Sequence, residues 1–392
     1  MTIRLYVVLS VCLLGAQAAL ADAPFIDPAD DAKFFGPPDD VLFWTPKQKV
    51  AGFRNADQLF SVRTVESSDK PEPLPEATVD LDDVVVRVGD DSLTVDEYIK
   101  RKNVAGLLVI KNGEIAYERY ALGNNKDSLW VSFSVTKSVV SMLVGAAIQD
   151  GFINGVDDMV ADYLPRMRDS SYDQASIRNI LQMASGVEWN EDYSDPDSDV
   201  GSINWETLPL LELLAGQPRT APPGEVFNYN TAETNLAGIM LRSSIGNNLS
   251  TYLSEKIWKP FGMASDATWN LTEPGGGEFG GCCINASLRD YGRLGMFALA
   301  DGRLPDGTEV LPAGWMQEST SPSKGNPGYG YFWWLGDEHR FGASGIFGQG
   351  IRIDREENVV IAVQSARDEA SNRDDWAWQI ALYHALTDAV SD

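Results

Sequence analysis

The sequence predicts an α+β fold in which an antiparallel sheet flanked by helices lies beside an all-helical subdomain. Strand-like runs stand towards both ends of the chain, and a long stretch of short helical patterns separates them. Strands from both ends pair most simply in one sheet that helices cover. We therefore expect residues 96–151 and 290–392 to form the sheet domain and residues 152–289 the helical subdomain. A cleft between the two is the expected place for a site.

The composition is that of a globular and strongly acidic protein. The chain has 392 residues, a formal net charge of -26, 44% hydrophobic residues and 22% charged residues. This length allows two or three domains with an ordinary buried core. The negative charge repels nucleic-acid phosphates and anionic membrane surfaces, so neither is an expected partner. The two histidines, His339 and His384, are too few for a histidine-based metal cluster, and no metal or other cofactor is predicted.

The N-terminus has the features of a secretory signal peptide. Arg4 supplies a positive charge, residues 5–15 are mostly apolar, and Ala19-Leu20-Ala21 forms a small-residue cleavage site. The apolar run is too short to span a bilayer as a stable helix. We predict that residues 1–21 are a signal peptide cleaved after Ala21 and that the protein is exported, to a bacterial periplasm or beyond.

The elements of the sheet domain are predicted from periodicity. The first part of residues 22–95 is rich in Pro and Asp. This composition predicts that residues 22–95 form an extended N-terminal arm, with apolar anchors such as Phe43 and Trp44. Two strand-like runs around Asn112-Gly113 then predict a β-hairpin over 105–120.

A buried helix is predicted over 134–149, because its apolar residues almost surround the helix axis, and Asp150-Gly151 ends it. Short helical patterns alternate with Pro-, Gly- and Asp-rich loops up to about residue 290, and this stretch has no strand alternation. The remaining predicted elements are a helix over 290–299, strands over 329–335, 350–354 and 358–364, and a closing amphipathic helix over 376–389.

A serine and a lysine three residues apart on a helix can form a nucleophile and its activator. Positions i and i+3 share a helix face, and a serine hydroxyl needs a proton acceptor within hydrogen-bond reach. Ser134 and Lys137 begin the buried helix, whose N-terminus favours developing negative charge. We predict that this pair is catalytic. Two further copies of the pattern lie in loop-like surroundings with proline: Ser67…Lys70 and Ser321…Lys324.

Five segments, in order along the chain, resemble landmarks of the serine β-lactamase/penicillin-binding-protein superfamily. Residues 130–141, Trp-Val-Ser-Phe-Ser-Val-Thr-Lys-Ser-Val-Val-Ser, are similar to its nucleophile motif, and Phe227-Asn-Tyr-Asn-Thr231 is similar to its catalytic-tyrosine motif. Residues 176–186 resemble a landmark after the first helices, and residues 343–349 resemble the strand that closes the active site. More narrowly, residues 130–141 resemble the branch that holds 6-aminohexanoate-dimer hydrolase and the family VIII carboxylesterases, and residues 189–193 resemble a segment typical of the dimer-hydrolase branch.

The resemblance implies a serine β-lactamase-like fold and hydrolysis of a carboxylic ester or small linear amide through an acyl-serine intermediate, without a cofactor. Ser134 would attack the carbonyl carbon, and Lys137 and Tyr229 would transfer the protons, with Tyr229 placed to protonate the leaving group. Which of the two is the base in acylation stays open. The backbone N–H groups of Ser134 and Ile346 would form the oxyanion hole. The implied substrate-binding residues are Tyr193, Asn230, Ser344, Gly345 and Phe347.

Some positions depart from these families. Thr231 stands where many lactamases have Asn, and Asn230 lies one residue earlier. Phe347 stands where the dimer-hydrolase branch has a histidine, and Gly281 where that enzyme has a pocket asparagine. Both departures bear on specificity for amide dimers and leave the nucleophile unaffected.

The Lys-Thr-Gly strand motif of the superfamily is also replaced. It corresponds to Ala343-Ser344-Gly345 or, in a shifted register, to Arg340-Phe341-Gly342. The lysine of that motif normally holds the carboxylate of β-lactams and D-alanyl peptides, so its absence predicts weak activity on both. Arg340 is the candidate replacement for this cation.

Two alternative functions remain: a β-lactamase or D-alanyl-D-alanine carboxypeptidase, and a non-catalytic binding or sensor module on the same fold. Two other sites are disfavoured. A calcium loop from Asp195 to Glu206 has Val200 where such a loop needs Gly, and a Ser-His-Asp triad lacks its Gly-x-Ser-x-Gly turn. The adjacent Cys282 and Cys283 can form only a strained vicinal disulfide, and we expect two small, semi-buried side chains.

Overall fold

The computed structural model describes residues 24–337 and 339–391 and has the expected α+β fold with antiparallel sheets and helices. In chain order, the strands of these residues are β1 (Val62–Val65), β2 (Val85–Val88), β3 (Asp91–Thr94), β4 (Val104–Lys111), β5 (Glu114–Tyr120), β6 (Trp130–Val131), β7 (Ala267–Asn270), β8 (Ile284–Ala286), β9 (Trp334–Leu335), β10 (Arg340–Gly345), β11 (Gln349–Asp354) and β12 (Val359–Ser365). The main sheet has the order β5-β4-β12-β11-β10-β9, so strands from both parts of the chain pair in it as predicted.

The α-helices cover this sheet and build the insert between its two halves. They are α1 (Pro46–Arg54), α2 (Ala56–Leu59), α3 (Val95–Arg101), α4 (Val135–Gln149), α5 (Val160–Tyr163), α6 (Ile177–Leu181), α7 (Asp199–Ser202), α8 (Thr207–Gly216), α9 (Thr231–Ile245), α10 (Leu249–Leu253), α11 (Lys259–Phe261), α12 (Leu288–Leu299), α13 (Trp315–Ser319) and α14 (Arg373–Ser391). Short 3-10 turns occur at Pro28–Phe34, Pro38–Phe43, Pro165–Met167 and Ile346–Gly348, and a π-helical turn at Ser254–Trp258.

Both faces of the main sheet are buried. Leu108 and Ile110 of β4 pack in the core that contains α4 and α12, whereas Leu107 and Val109 pack with α3 and α14 on the other face. Successive side chains of a strand point to opposite faces, which explains why β4 is apolar without interruption. The predicted hairpin joins β4 to β5 at Asn112-Gly113, where both residues have positive φ, 54° and 83°. A type I′ turn requires this conformation.

The insert contains strands that the sequence analysis did not predict. A second antiparallel sheet has the order β1-β7-β8-β6, and both β7 and β8 lie within residues 152–289. The expectation of an all-helical composition for this stretch was therefore wrong. Strands of four and three residues are too short to produce a readable alternation of apolar and polar residues. The division of the chain into a sheet domain and a helical subdomain stays a prediction.

Over its described residues, 24–95, the N-terminal arm is not extended, which corrects the prediction for this segment. It contains two 3-10 turns, α1, α2, β1 and the β2–β3 hairpin. Helix α1 begins with Pro46 at its first turn, and Thr45 and Gln48 form a capping box. Arg54 at its end forms a buried ion pair with Asp31 (2.7 Å). Local caps and a long-range ion pair organise a segment whose composition suggests only loops.

The predicted signal peptide, residues 1–21, lies outside the described residues. Among the helices of residues 24–337 and 339–391, none combines the length and the apolar character that crossing a membrane requires.

Candidate active site

Ser134 lies between strand β6 and helix α4, at the N-cap position of the helix. Strand β6 pairs with β8, and the hydroxyl groups of Ser132 and Thr136, 2.7 Å apart, both accept the backbone N–H of Ile284 at 2.9 and 3.0 Å. These bonds tie the first turn of α4 to the start of β8. Phe133 has a left-handed φ of 44°, which turns the chain from strand to helix directly before the serine. Such strained conformations cluster at functional sites.

Lys137 is buried beside Ser134, with its amino group among three oxygen atoms. Its side chain is 1% exposed, and Nζ lies 3.0 Å from Ser134 Oγ, 3.1 Å from Thr231 Oγ1 and 2.8 Å from the carbonyl oxygen of Gly281. Burial lowers the pKa of Lys137 to about 8, because loss of water penalises the ammonium form, although the charge of Glu191 acts in the opposite direction. About a tenth of the lysine side chains are then neutral at pH 7.

Tyr229 lies beside this amino group. Its ring centroid is 5.3 Å from Lys137 Nζ, and the ring stacks on Trp334 with a centroid separation of 5.8 Å and an interplanar angle of 20°. Asn228 holds the preceding backbone, because its N–H and its side-chain amide donate to two backbone carbonyls at 2.8 and 3.1 Å. Burial raises the pKa of Tyr229, and hydrogen bonding with Ser134 opposes this effect. The phenol is therefore protonated at neutral pH and can donate a proton.

Glu191 connects these groups, and the sequence analysis did not identify it. Its carboxylate accepts the N–H (3.0 Å) and the hydroxyl of Thr231, the phenol of Tyr193 (2.6 Å) and the indole N–H of Trp189. Its negative charge favours the ammonium form of Lys137 and disfavours ionisation of Tyr193, a predicted site residue. The available signal was a carboxylate within the 189–193 motif, two positions before Tyr193.

The end of strand β10 passes beside the backbone of the serine. A Cβ atom on Gly345 would lie 3.1 Å from the backbone nitrogen of Ser134 and 2.5 Å from the carbonyl oxygen of Ser132, so glycine is needed for this approach. Ile346 follows at once. The approach brings into contact the two backbone segments that carry the predicted oxyanion-hole donors.

Ser134 lies on the walls of two cavities. Cavity A, about 630 Å³, is lined by parts of residues 38–60, 200–206 and 279–283, and by Thr231. Cavity B, about 1170 Å³, is lined by Tyr229, Trp334, the end of β10 with Ser344 and Gly345, part of β11, and residues 367–373. Besides Ser134, the residues Leu42, Trp44, Tyr193 and Ile346 line both cavities.

Two predicted substrate-binding residues do not line either cavity. Asn230 is 1% exposed, and its side-chain oxygen accepts the N–H of Glu233 at 3.0 Å, which caps helix α9. An N-cap side chain folds back onto its own helix, and Thr231, the next residue, contacts Lys137 instead. Phe347 is fully buried and packs against Phe53 with a centroid separation of 5.3 Å. Neither side chain faces the cavities, and a role of these two residues in substrate binding stays a prediction.

The structure also shows the surroundings of Gly281, which stands where the dimer-hydrolase branch has an asparagine, and of Arg340, the candidate replacement cation. Gly281 contributes its carbonyl oxygen to Lys137, and a Cβ atom there would lie 2.6 Å from Thr231 Cγ2, so a pocket asparagine does not fit. Arg340 lies at the far end of β10, and its guanidinium donates to Asp354 (2.6 Å) and Asp337 (3.1 Å). The segment Ala343-Ser344-Gly345, not Arg340, therefore lies at the site.

The other two Ser-x-x-Lys copies and the histidines contribute nothing to these cavities. Ser67 donates to Asp266 (2.7 Å), Lys324 pairs with Glu225, and the lining of cavities A and B within the described ranges includes neither histidine. Over residues 24–337 and 339–391, no group of three or more His, Cys, Asp or Glu side chains is placed to hold a metal ion. Cys282 and Cys283 lie side by side on the wall of cavity A, where Cys282 is half-buried and Cys283 is buried.

The fold and the Ser134–Lys137 geometry define a hydrolase of the β-lactamase type. The chain belongs to the β-lactamase family, whose profile, described as Beta-lactamase, matches residues 93–385. It is 27% identical over 345 residues to 6-aminohexanoate-dimer hydrolase from Paenarthrobacter ureafaciens, which covers 81% of this chain and 85% of that protein. The family match confirms the superfamily inferred from the motifs, and this relative bears the name of the branch that the motifs resemble.

Solved structures share the fold. A Bacillus anthracis chain provisionally named a 6-aminohexanoate-dimer hydrolase has a TM-score of 0.79 at 21% identity, over 88% of this chain and 94% of that chain. A family VIII carboxylesterase has a TM-score of 0.57 at 19% identity, over 73% of this chain and 93% of that chain.

Proposed function

We propose that the protein is a serine hydrolase that cleaves a carboxylic ester or a small linear amide through an acyl-serine intermediate. The observation that carries this proposal is the position of Lys137, a buried amine with a pKa of about 8 whose Nζ lies 3.0 Å from Ser134 Oγ. A serine hydroxyl becomes a nucleophile at neutral pH only with such a proton acceptor in reach.

The neighbours of Lys137 orient its lone pair. The carbonyl oxygen of Gly281 can only accept a hydrogen bond, and the hydroxyl of Thr231 already donates to Glu191. A neutral amine therefore gives its two hydrogens to these oxygens and directs its lone pair to Ser134. This arrangement favours Lys137 over Tyr229 as the base in acylation.

The reaction then proceeds in two steps, acylation of Ser134 and hydrolysis of the acyl-serine. The oxygen of Ser134 forms a bond to the substrate carbonyl carbon while its proton passes to Lys137, and the backbone N–H groups of Ser134 and Ile346 hold the oxyanion. The bond to the leaving group breaks as Tyr229 donates its proton to the departing oxygen or nitrogen, and the proton on Lys137 restores the phenol. Water then attacks the acyl-serine by the same route and releases the acid.

The names of two relatives support ester or amide substrates. They are called a 6-aminohexanoate-dimer hydrolase and a family VIII carboxylesterase. Other relatives are called a β-lactamase and a penicillin-binding protein, which is why a chromogenic cephalosporin belongs in the substrate panel. Export from the cell remains part of this proposal and rests on residues 1–21 alone.

Covalent labelling tests the proposal. A fluorophosphonate probe should label the wild-type protein, and Ser134→Ala should abolish labelling and hydrolysis of p-nitrophenyl butyrate while the circular dichroism spectrum stays unchanged. Ser67→Ala and Ser321→Ala, in the other two Ser-x-x-Lys copies, are matched controls that should label normally. A wild-type protein that does not label would favour the non-catalytic binding module, and near-normal turnover by Ser134→Ala would overturn the assignment of the nucleophile.

A further inference from the structure

Part of the wall of cavity A comes from chain outside the region that matches the family. The match begins at residue 93, whereas residues 38–60 contribute Leu42, Phe53 and Phe60 to this cavity. Ile203, Trp205 and Phe279 stand on other parts of its wall, and the rings of the last two lie 4.8 Å apart. The cavity is therefore an aromatic and aliphatic pocket that the N-terminal segment completes.

The N-terminal wall is packed firmly against the nucleophile. Phe53 lies edge-on to Phe133, the residue before Ser134, with a centroid separation of 4.9 Å. Trp44 is 3% exposed, and its indole N–H donates to the carbonyl of Pro37 at 2.8 Å. A wall fixed in this way can select among substrates by shape.

The charges around the two cavities differ. The described residues that line cavity A include no Lys or Arg, and its charged residues are Asp39 and Glu206, both exposed. Cavity B, in contrast, is lined by four cationic side chains, Lys49, Arg352, Arg367 and Arg373, together with five carboxylates, Glu191, Asp192, Asp368, Glu369 and Asp375. A chain with a negative charge is therefore repelled from cavity A, whereas a neutral or positively charged chain is not.

The proton-transfer groups decide which half of a substrate each cavity receives. Tyr229, the proposed donor to the leaving group, lines cavity B and not cavity A. Thr231 and Gly281, which hold Lys137, line cavity A and not cavity B. The leaving group therefore departs into cavity B, and the acyl group lies on the opposite side of Ser134.

We propose that cavity A is the acyl-binding site and that it takes an apolar acyl chain without a negative charge. This inference rests on the proposed function and names its substrate class: esters or amides of apolar carboxylic acids. The N-terminal segment contacts the acyl chain through Phe53 and Phe60, which line cavity A and not cavity B. A chain that ends in an ammonium group is compatible with Asp39 and Glu206.

Two ester series test the assignment. In the first the leaving group is always p-nitrophenol and the acyl group grows from acetate through butyrate to hexanoate. In the second the acyl group is always acetate and the alcohol grows from ethanol to hexanol. We expect kcat/KM of the wild-type protein to rise about twofold to fourfold per methylene in the acyl series, which corresponds to burial of each added group. An adipate monoester should be at least tenfold worse than the hexanoate ester.

Variants of the wall connect this preference to cavity A. Phe60→Ala should lower the hexanoate-to-acetate ratio of kcat/KM about tenfold, and Ile203→Ala, from another part of the wall, should lower it in the same direction. Phe25→Ala is the matched control, because Phe25 is 62% exposed and lies outside both linings. This variant should keep the wild-type ratio.

The outcomes separate this inference from the proposed function. A wild-type enzyme that hydrolyses p-nitrophenyl acetate but has a flat acyl series would overturn the acyl site alone. A response of the alcohol series, and not the acyl series, to Phe60→Ala would assign the cavities in reverse. The acetate ester tests the proposed function alone, because its acyl group is too short to need a contact with the wall of cavity A. A protein that does not hydrolyse this ester would overturn the proposed function, and the acyl site with it.

Discussion

The carboxylate of Glu191 accepts hydrogen bonds from both the N–H and the hydroxyl of Thr231. The same hydroxyl oxygen lies 3.1 Å from Lys137 Nζ. Thr231, the first residue of α9, therefore connects the carboxylate of Glu191 to the amino group of Lys137. We regard Glu191 as a positioning residue for the proposed reaction.

Replacement of Glu191 should alter both the rate and its pH dependence. Glu191→Gln removes a charged hydrogen-bond acceptor, and such bonds contribute about 1.5 to 3 kcal/mol, so kcat/KM should fall about tenfold to a hundredfold. Loss of the negative charge lowers the pKa of Lys137 further, so the pH midpoint of kcat/KM should move down. Glu188→Gln, at an exposed carboxylate outside both cavity linings, is the control. A fall in rate with an unmoved midpoint would indicate a purely structural role.

The pH profile of the wild-type enzyme should identify the base. If Lys137 acts as the neutral amine, kcat/KM for p-nitrophenyl butyrate rises with pH and levels off near pH 8, and it falls about tenfold per unit below that value. A tyrosinate base predicts a midpoint above 10, because burial raises the pKa of Tyr229. Rates measured from pH 5.5 to 10, with correction for spontaneous hydrolysis, distinguish the two.

Lys137 and Tyr229 should act as one unit. Lys137→Ala and Tyr229→Phe should each lower kcat by about a thousandfold or more, and the double variant should be scarcely worse than either single variant. Groups that share one proton-transfer step are strongly non-additive. Kinetics of the two single variants and the double variant measure the coupling, and losses that multiply would mean that one of the residues has an independent role.

Ester hydrolysis should exceed β-lactam hydrolysis. The segment Ala343-Ser344-Gly345 keeps a hydroxyl but no cation, and Arg340 is engaged by Asp354 and Asp337. A missing charge-assisted contact costs about 1.5 to 3 kcal/mol, so a chromogenic cephalosporin should have a kcat/KM at least tenfold to a hundredfold below that of p-nitrophenyl butyrate.

Arg352 provides a second test of this discrimination. It lies on the wall of cavity B, and its buried Nε has no hydrogen-bond partner in the described residues. Arg352→Met should therefore lower the cephalosporin-to-butyrate ratio further, whereas Arg340→Met should leave the ratio near that of the wild type. A wild-type ratio that favours the cephalosporin would support the β-lactamase alternative instead.

A buried glutamate behind the site should make stability depend on pH. Glu233 is 1% exposed, and burial raises its pKa to about 8, although hydrogen bonds from Ser185 and Tyr172 oppose the shift. Between the ordinary value of 4.5 and about 8 the folded state binds more protons than the unfolded state, so this group makes the protein less stable as pH rises.

The variant Glu233→Gln removes this titration. Its melting temperature relative to the wild type should increase from pH 5 to pH 8.5, with a gain of roughly 2 to 4 kcal/mol in unfolding free energy at the upper end. Glu212→Gln, at an exposed glutamate on α8, should give a constant difference over the same range. A pH-independent difference for Glu233→Gln would mean that the carboxyl group is ionised throughout.

Local sequence patterns were sufficient to predict several parts of this protein. The hairpin at Asn112-Gly113 depends on the backbone preferences of two adjacent residues, and the convergence of Ser134 and Lys137 depends on the geometry of a single helix turn. The order of the family motifs along the chain was enough to predict the superfamily and the fold class. The family match confirms the superfamily, and the solved structures confirm the fold class.

Tertiary structure alone decided the rest. Lys137 contacts the carbonyl of Gly281 and the hydroxyl of Thr231, which are 144 and 94 positions away in sequence. A backbone carbonyl has no sequence signature, and Glu191 acts through a hydrogen bond to a residue 40 positions away.

The differences between the expected and the observed surroundings of single residues have the same origin. Asn230 was predicted to bind substrate, but its direction is set by the helix it caps, and Phe347 is buried by its contact with Phe53 of the N-terminal segment. That segment was predicted to be extended, yet it completes cavity A through packing over long sequence separations. The sequence by itself determined which residues can carry the chemistry, because reactivity belongs to residue types and short spacings. Only the tertiary structure decided what surrounds them, because burial and cavity shape depend on which distant segments pack together.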